Sequence, residues 1–450
     1  MKKYFSLALL FLIFLAGIFY ISQTQLKPTQ KNLVEVETIA VGQGNPGLIA
    51  FFTKESNGSF IRKTIDTGFR YVWTVRITDG RGDGKNRIYA GVGNSFFSEP
   101  HGCQVLEFDS TDNFKKTVID DVGDLRCKDL TAGSIYNNGK NQLVLGTHGL
   151  GIIRVYDYKD GKWEVVEASR NYLAAYDREN NQNHAVPADK LPYELTVQTA
   201  VHTVKIGDAD NDGKNEILST ESDPLENPNK DHLLFIRMYK WNGKSFDVST
   251  IDTLKEAIPF KATARTVDLD GSGKNKVLVS ASHHQVLLYV YSDGKWNRQV
   301  IDKAEGGNED NMKGLSVGSL DGKNKSIVVA TGLPHAGVYQ YDLQNGQFNK
   351  KYLVDISKLL DKYRLFEGVG DNTLDSAIAD VNGDGANEIV VAGEQDSAFS
   401  GDKSGVSKFG WEGTTIGYTG VITPQKDGTY KTEFIDFRSA LGLDVGKISY

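Results

Sequence analysis

The sequence predicts an all-β protein, specifically a seven-bladed β-propeller, from a long repeat, a recurrent tight turn and the two ends of the chain. A Gly-x-Asn core recurs at intervals of about 50 to 74 residues, a period typical of propeller blades. Alternating apolar strands flank each copy, as at residues 202–206 and 216–218. The copies begin at Gly84, Gly139, Gly213, Gly273, Gly322 and Gly385.

A two-residue turn of Asn-Gly or Asp-Gly separates the last two strands of most repeats. Both dipeptides supply the positive φ angles that a tight hairpin needs. An aromatic residue follows each turn, and most repeats then end in an Ile-Asp pair, such as Ile251-Asp252. The turns begin at Asn57, Asp160, Asn242, Asp293, Asn345 and Asp427. Each repeat is therefore predicted to contain four strands.

The two ends of the chain are predicted to form the seventh blade together. Residues 34–66 lack a first strand, whereas residues 443–449 resemble a first strand such as residues 203–206. Joining them gives a blade closed by both termini, and closure of the ring avoids exposed edge strands. We expect one propeller domain over residues 34–450.

The N-terminus has the pattern of a targeting segment. Lys2 and Lys3 precede an apolar run at residues 4–21, which predicts a hydrophobic helix. Residues 1–22 are a signal peptide or an uncleaved membrane anchor, and the lack of a small-x-small cleavage site favours the anchor. Residues 23–33 form a polar linker. We therefore expect the propeller outside the cytoplasm, secreted or membrane-anchored, with only this segment contacting the membrane.

Composition and cysteine content limit the possible functions. The 450 residues are 39% hydrophobic and 24% charged, with a net charge of −7. This supports a large core and offers no basic tract for nucleic acid. Two cysteines, Cys103 and Cys127, exclude a four-thiolate zinc site. In an oxidising compartment we expect them to form a disulfide, and the alternative is a metal site with His101.

Two of the loops between first and second strands carry the ligands of a calcium site. Calcium takes six to eight oxygen ligands, and alternate acidic side chains on a tight loop can converge on one ion. An acidic, solvated turn is the alternative. The predicted ligands are the side chains of Asp208, Asp210, Asp212 and Glu216 with the Lys214 carbonyl, and the side chains of Asp380, Asn382, Asp384 and Glu388 with the Ala386 carbonyl. We expect two calcium ions with a structural role.

The corresponding loops of the other blades have lost this ligand set. A base, Arg87 or Lys276, stands at the ninth position of two loops, where a side-chain cation can neutralise the carboxylates without a metal. The other two loops are shortened or lack acids. The four loops contain Asp79, Asp268, Asp321 with Lys325, and Asn137 with Asn138. We expect them to be metal-free.

Residues 208–216 resemble the calcium loop of FG-GAP or VCBS repeats, which form the blades of integrin α-subunit propellers and of many bacterial secreted proteins. The resemblance covers residues 34–450 and implies calcium-stabilised blades. Residues 280–284, 289–291 and 296–302 are also similar to bacterial VCBS propellers related to aldos-2-ulose dehydratase. That similarity implies a carbon–oxygen lyase acting on carbohydrate.

One face of the predicted propeller carries the long loops. In a four-stranded meander, loops between strands two and three share a face with the loops between blades, and every long insertion belongs to this group. The insertions are at residues 95–102, 170–200, 221–231, 356–373 and 394–415. All eight histidines map to the same face. We expect binding or catalysis there, with neutral drift of the loops as the alternative.

Two groups of side chains on this face are candidate functional residues. Imidazoles at equivalent positions could bind a transition metal or act as acid and base, unless each packs only within its blade. These are His148, His202, His284 and His335, with His101 as a further candidate. Cations with aromatics suit an acidic sugar, unless the cations pair with nearby acids. These are Arg70, Trp73, Arg126, Lys128, Arg265, Lys313 and Trp411.

The sequence thus supports two functions. The favoured one is an extracytoplasmic, calcium-stabilised propeller that binds a glycan or an extracellular protein on the face with the histidines, because no complete catalytic motif is present. The alternative is a sugar or polysaccharide lyase or dehydratase that uses histidine acid–base or metal chemistry.

Overall fold

The computed structural model describes residues 35–94, 102–124, 126–149, 151–170, 175–177, 182–184, 199–222, 232–256, 262–281, 285–303, 311–332, 336–363, 370–396 and 416–449. The predicted signal or anchor at residues 1–22 and the linker at residues 23–33 lie outside these ranges. Within the ranges, no helix has the length and apolarity needed to cross a bilayer.

The described chain is almost entirely β-structure, as predicted, and forms a propeller. Its described residues form six blades, each a meander of four antiparallel strands in chain order. The first blade contains β2 (Phe60–Thr78), β3 (Arg87–Gly93), β4 (Gln104–Asp109) and β5 (Lys115–Asp121), and the second contains β6 (Arg126–Gly133), β7 (Gln142–Gly149), β8 (Ile152–Lys159) and β9 (Lys162–Arg170). The third blade contains β12 (Thr199–Gly207), β13 (Glu216–Ser222), β14 (His232–Trp241) and β15 (Phe246–Glu256), and the fourth contains β16 (Thr263–Val267), β17 (Lys276–Ala281), β18 (Gln285–Ser292) and β19 (Lys295–Lys303). The fifth blade contains β20 (Asn311–Ser319), β21 (Lys325–Gly332), β22 (Gly337–Gln344) and β23 (Gln347–Asp355), and the sixth contains β24 (Gly370–Ala379), β25 (Glu388–Asp396), β26 (Ile416–Pro424) and β27 (Tyr430–Arg438).

The remaining elements are few. The chain ends supply β1 (Glu35–Lys54) and β28 (Ala440–Ser449), and a small hairpin joins β10 (Ala175–Asp177) to β11 (Gln182–His184). One short helix, α1 (Ile356–Leu360), and two 3-10 turns, Ser110–Asp112 and Asp361–Tyr363, complete the described structure.

The prediction of a separate seventh blade was wrong. The two chain ends do pair, because residues 35–43 of β1 are hydrogen-bonded to β28, and residues 48–54 of β1 pair with β2. The terminal strands therefore join the first blade in one six-stranded sheet, in the order β28-β1-β2-β3-β4-β5. β1 and β2 are 20 and 19 residues long, so each continues where the sequence pattern indicated a break. Alternating polarity marks strands but does not show whether two strands are continuous.

Apolar cores lie between neighbouring blades. One core combines Leu218 and Ile236 of the third blade with Val277 and Leu287 of the fourth, and all four side chains are fully buried. Burial of a side chain of this size contributes about 1.5 to 3 kcal/mol relative to exposure. The blades are therefore held together by apolar contact on both faces of each sheet.

The acid of the Ile-Asp pair connects one blade to the next. Asp252 ends the third blade, and its carboxylate accepts a hydrogen bond of 2.9 Å from the hydroxyl of buried Tyr289 in the fourth. This bond satisfies a phenol that would otherwise be buried without a partner. The same contact joins Asp120 to Tyr156 and Asp302 to Tyr341.

The asparagine of the Gly-x-Asn core ties each blade to the preceding one. The Asn275 amide donates to the backbone carbonyl of Asp208 at 2.9 Å. Equivalent bonds of 2.6 to 3.0 Å run from Asn86 to Lys447, Asn141 to Asp79, Asn215 to Ser134 and Asn387 to Ser319. In the fifth blade, the Lys325 ammonium donates to the Asp268 carbonyl at 2.7 Å instead. The repeated residue is thus an inter-blade clamp.

Cys103 and Cys127 form the predicted disulfide, with their Cα atoms 4.9 Å apart. Cys103 precedes β4 of the first blade and Cys127 lies in β6 of the second, so the bond links neighbouring blades. Because both thiols are bonded to each other, the alternative metal site with His101 was wrong for these cysteines. His101 itself lies outside the described residues.

Candidate functional site

The third-blade loop, residues 208–216, connects β12 to β13 and gathers four carboxylates. Each of Asp208, Asp210, Asp212 and Glu216 has an oxygen within 4.8 Å of the others. Gly213 has a φ of 85°, a left-handed conformation that favours glycine. The N–H groups of Gly213 and Asp212 both donate to the Asp208 carboxylate at 3.0 Å. The backbone thus brings the predicted side-chain ligands together.

Glu216 is the fully buried member of this group. Its Oε2 accepts a hydrogen bond of 2.9 Å from the Ala209 N–H, whereas its Oε1 accepts none. Burial and the neighbouring charges of Asp210 and Asp212 raise the pKa of Glu216 to about 7, against the bond from Ala209. An ionised Glu216 therefore needs a cation beside it, and a site made only of oxygen atoms fits calcium.

Lys240 of β14 is a cation near these carboxylates that the sequence analysis missed. Its Nζ lies 2.8 Å from Asp210, 2.5 Å from Asp212 and 3.7 Å from Glu216. The ammonium group therefore contacts three of the four predicted acidic ligands. The available signal was its place just before the Asn242-Gly243 turn, because such hairpins share a face with the loops between strands one and two.

The sixth-blade loop, residues 380–388, connects β24 to β25 and has the same frame. The Asp380 carboxylate accepts the N–H of Asp384 at 3.1 Å and that of Gly385 at 2.9 Å. Glu388 is fully buried, and burial and the charge of Asp384 raise its pKa to about 7. The Asn382 amide donates to Glu388, so here a predicted ligand contacts the buried acid without bringing a charge.

The expected neutralising bases are confirmed in two other loops. In the first-blade loop, residues 79–87, the Arg87 guanidinium lies 2.8 Å from Asp83 and 3.2 Å from Asp109. In the fourth-blade loop, residues 268–276, Lys276 lies 2.7 Å from Asp270. The hydrogen bond from Lys276 holds the pKa of Asp270 well below its usual range. In both loops the chain supplies its own cation.

Strand register identifies the ninth position of the shortened fifth-blade loop. Gly318 pairs with Ser326, just as Gly207 pairs with Glu216. The ninth position is therefore occupied by Ser326. The Ser326 hydroxyl donates to Asp342 at 2.6 Å, and Lys325 serves as the inter-blade clamp described above. Shortening of the loop hid this position.

The histidine-bearing face, at which the first strands of the blades begin, contains a series of β-bulges. We call β2, β6, β12, β16, β20, β24 and β28 the inner strands, because all seven border the axis. In six of them, strand pairing skips one residue near the start of the paired segment. These residues, the bulge ring, are Trp73, Lys128, His202, Lys313, Leu374 and Leu441. Four of the six are predicted functional residues.

Aromatic and cationic side chains are stacked around Trp73. Its ring packs on that of Tyr71, with centroids 4.9 Å apart. The Arg126 guanidinium lies 5.5 Å from the Trp73 ring, and that of Arg70 lies 5.6 Å from the Tyr71 ring. Three residues predicted for glycan recognition, Arg70, Trp73 and Arg126, are therefore brought together.

Arg126 and His148 are cross-strand partners in β6 and β7, and both are buried. Burial lowers the pKa of Arg126 to about 10, against the nearby carboxylates. Burial, with the charges of Arg126, Lys128 and His202, holds the pKa of His148 well below its usual value of 6.5. The Nδ1 of His148 makes no hydrogen bond. At neutral pH this region therefore combines a charged guanidinium with a neutral imidazole.

The structure does not bring every predicted residue to this place. Arg265 lies deeper along the axis, because its register matches that of Lys205, three residues past the bulge in β12, and both line a cavity. Only the backbone of Lys313 is described. His101, His284, His335 and Trp411 lie outside the described residues.

The cavity lies on the axis among the inner strands and has a volume of about 330 Å³. Its charged lining residues are Arg76, Lys205, Arg265 and Asp444. Of these four residues, the sequence analysis identified only Arg265. Which residue of an inner strand faces the cavity depends on the pairing register of that strand.

The fold is similar to those of solved propellers. Over 93% of this chain and 100% of the other, it matches a candidate 6-phosphogluconolactonase from Bacteroides fragilis, with 17% identity and a TM-score of 0.56. It matches the periplasmic gluconolactonase of Pseudomonas aeruginosa over 92% and 99% of the two chains, with 12% identity and a TM-score of 0.54. A protein from Lactobacillus plantarum matches over 92% and 100%, with 9% identity and a TM-score of 0.55. No protein-family model and no curated protein matches the sequence. The chain therefore has a β-propeller fold.

Proposed function

We propose that this protein is an extracytoplasmic, calcium-stabilised β-propeller of the FG-GAP or VCBS type that binds an acidic carbohydrate at the bulge ring. One observation carries the proposal. In four inner strands, the residue skipped by strand pairing is one that the sequence predicts as functional. These residues are Trp73, Lys128, His202 and Lys313. Bulges redirect side chains and are common beside binding sites.

The side chains at and beside the bulge ring suit a sugar acid. Trp73 and Tyr71 form a stacked aromatic pair that is largely buried, 7% and 5% exposed, so a sugar ring would contact only its exposed edge. Arg126 beside Trp73, with Lys128, supplies positive charge for a carboxylate. Since the pKa of Arg126 is about 10, its guanidinium keeps its charge at neutral pH. Two of the proteins with similar folds are named for gluconolactone chemistry, which is consistent with a carbohydrate ligand.

Calcium is proposed at the third-blade and sixth-blade loops. The support is the convergence of oxygen ligands and the buried Oε1 of Glu216, which lacks a hydrogen bond. One ion would be held by the Lys214 carbonyl and by the side-chain carboxylates of Asp208, Asp210, Asp212 and Glu216. The ion would neutralise the carboxylates and tie the first strand of the blade to the second, with no part in chemistry at the bulge ring.

Calorimetric titration with short oligouronates tests the ligand. We expect saturable binding by the wild-type protein and an affinity at least about tenfold lower for Trp73→Ala, the effect of losing about 1.4 kcal/mol of stacking. Lys128→Gln should weaken binding and reduce its salt dependence. The matched control is Lys295→Gln, which removes an exposed charge from the β18–β19 hairpin on the opposite face. Equal affinity of folded Trp73→Ala and wild type would contradict the proposal.

A second candidate function, a carbohydrate lyase, is favoured by His148. A buried imidazole that is neutral at pH 7 can accept a proton, and His202 lies close enough to affect its pKa. A lyase would create a new carbon–carbon double bond in the oligouronate, detected by ultraviolet absorbance. His202→Ala should then abolish turnover. Binding without turnover in the wild type would favour the binding protein.

A further inference from the structure

The axial cavity is bounded by all seven inner strands and is separate from both the bulge ring and the calcium loops. Its 330 Å³ is at the lower end of the range for small-molecule sites. The lining combines cations with the hydroxyl groups of Thr78, Thr131, Ser316 and Ser376. Such a lining offers hydrogen-bond donors with few apolar surfaces.

The charged residues of the cavity lie at one level of the propeller. In three inner strands one residue pairs with the first residue of the next strand, and in β28 the residue at the same distance from the bulge pairs with β1. These residues are Thr78, Gly207, Val267 and, in β28, Gly446. The residue two positions earlier in each strand is charged. These residues are Arg76, Lys205, Arg265 and Asp444, and the same level carries Thr131 and Ser316 in β6 and β20.

Two of the three cations share one carboxylate. Asp129 lies 2.7 Å from the Arg76 guanidinium and 2.6 Å from the Lys205 ammonium. The Asp444 carboxylate accepts the N–H of Ile77 at 2.7 Å. Asp444 and Asp375 also interact electrostatically with Arg76, so the nearby carboxylates balance the charges of Arg76 and Lys205.

Arg265 has a different environment. Its Nε donates to the backbone carbonyl of Leu315, and no carboxylate of the described residues lies within 4.0 Å of its guanidinium. Burial lowers the pKa of Arg265, and the charge of Arg76 lowers it further, against Asp375. Burial likewise lowers the pKa of Lys205 to about 8. An anion in the cavity would stabilise both charged groups.

We propose that the axial cavity is a binding site for a small oxyanion, held by the Arg265 guanidinium and the Lys205 ammonium with hydroxyl donors from Ser316 and Thr131. A guanidinium presents two parallel donors to a carboxylate, phosphate or sulfate oxygen pair, and hydroxyls complete the shell. This site does not depend on the glycan site or on calcium.

Thermal unfolding and calorimetry with three probes test the proposal. Inorganic phosphate, sulfate and glucuronate are compared with chloride at equal ionic strength. We expect at least one oxyanion to bind saturably and to raise the unfolding temperature. Tighter binding of glucuronate that Arg265→Gln weakens identifies a sugar acid as the ligand of the cavity, and tighter binding of phosphate or sulfate identifies an inorganic or phosphoryl group.

Variants assign the binding to the cavity. Arg265→Gln should weaken oxyanion affinity at least about tenfold, because a charge-assisted hydrogen bond is lost. Arg298→Gln is the matched control, since Arg298 is half exposed and pairs with Asp252 on an outer strand. If Arg265→Gln does not fold, Ser316→Ala and Arg265→Lys replace it, and both should weaken binding by a smaller factor.

Two results would overturn the proposal. One is the absence of saturable binding by all three oxyanions in the wild-type protein. The other is binding that is equal in wild type and in every folded variant at Arg265 and Ser316.

Discussion

The third-blade and fourth-blade loops share a backbone frame but neutralise their carboxylates differently. Asp208 accepts the N–H of Gly213 at 3.0 Å, and Asp268 accepts that of Gly273 at the same distance. At the ninth position, however, Glu216 adds a buried acid, whereas Lys276 adds a base 2.7 Å from Asp270. The difference teaches that the ninth residue sets the charge of the loop: the fourth-blade loop supplies its own cation there, whereas the third-blade loop adds an acid and has only Lys240 of β14 beside it.

The two loops also contact each other. The Asn211 side chain accepts the N–H of Asn275 at 2.6 Å and donates to the Asn275 carbonyl at 3.0 Å. The Asn275 side chain in turn donates to the Asp208 carbonyl at 2.9 Å. Three direct hydrogen bonds therefore join the two loops.

Converting the fourth-blade loop into the third should have the largest effect. Lys276→Glu removes the internal cation and restores the acid, so we expect about one additional calcium ion per chain. The calcium-free variant should be less stable than wild type, and calcium at 100 times its Kd should restore about 2.7 kcal/mol. Calcium calorimetry and thermal unfolding measure both. Lys274→Glu, an exposed change in the same loop, is the control, and a variant with unchanged stoichiometry would break the comparison.

Breaking the contact between the two loops should have the next largest effect. Asn211 has a φ of 61°, so Asn211→Gly removes its two hydrogen bonds without imposing backbone strain. We expect the free energy of unfolding to fall by about 2 kcal/mol, since each lost bond contributes about 1 kcal/mol. Urea denaturation measures it. Asp293→Gly, in an exposed hairpin with a φ of 53°, is the matched control.

Removing Lys240 should change calcium affinity at the third-blade loop but not at the sixth-blade loop. Its ammonium contacts Asp210 and Asp212 and therefore competes with an ion. We expect Lys240→Gln to raise calcium affinity at the third-blade loop about tenfold, or about 1.4 kcal/mol, with the sixth-blade loop unchanged. Two-site calorimetric fits test this, with Lys244→Gln as the control. Equal calcium affinity would show that Lys240 does not compete.

The smallest expected effect is the pH dependence that His148 contributes, which a His148 variant separates from that of the loop carboxyls. The pKa of His148 is depressed in the folded protein, so below about pH 6.5 the unfolded chain binds a proton that the folded chain does not. The contribution of His148 to stability should therefore fall by about 0.7 kcal/mol between pH 7 and pH 6, opposite in sign to the contributions of Glu216 and Glu388, whose pKa values are raised. His148→Gln should remove this part of the dependence in urea unfolding. An identical pH profile in the variant would show that His148 is not its source.

The features that the sequence predicted are those set by short-range patterns. The Gly-x-Asn period and the bases at Arg87 and Lys276 act within a few residues, and the structure confirms them. The two-residue turn is confirmed at Asp160, Asp293 and Asn345, whereas the hairpins at Asn57, Asn242 and Asp427 have longer loops in which the glycine alone has a positive φ. The disulfide was predictable because only two thiols exist. The number of blades was not, because continuity of β1 and β2 depends on pairing with distant strands.

The same limit applies to the candidate sites. Trp73, Lys128 and His202 were identified by residue type, but their common place in bulges is visible only from pairing register. Lys240 reaches the third-blade loop from a strand two elements away, and only the pairing register shows that Ser326 holds the ninth position of the shortened fifth-blade loop. Three cations of the axial cavity lie at one level because their inner strands pair with the next strand in the same register. These are Arg76, Lys205 and Arg265. Each of these depends on tertiary structure that a single sequence does not contain.

Calcium stoichiometry tests the central claim most directly. The ion content of purified protein, measured by elemental analysis after equilibration with calcium, should be two per chain. Asp212→Ala and Asp384→Ala should each retain one, and the double variant none, while Asp270→Ala in the fourth-blade loop should retain both. A wild-type protein with no calcium, or a double variant that still binds two ions, would contradict the account.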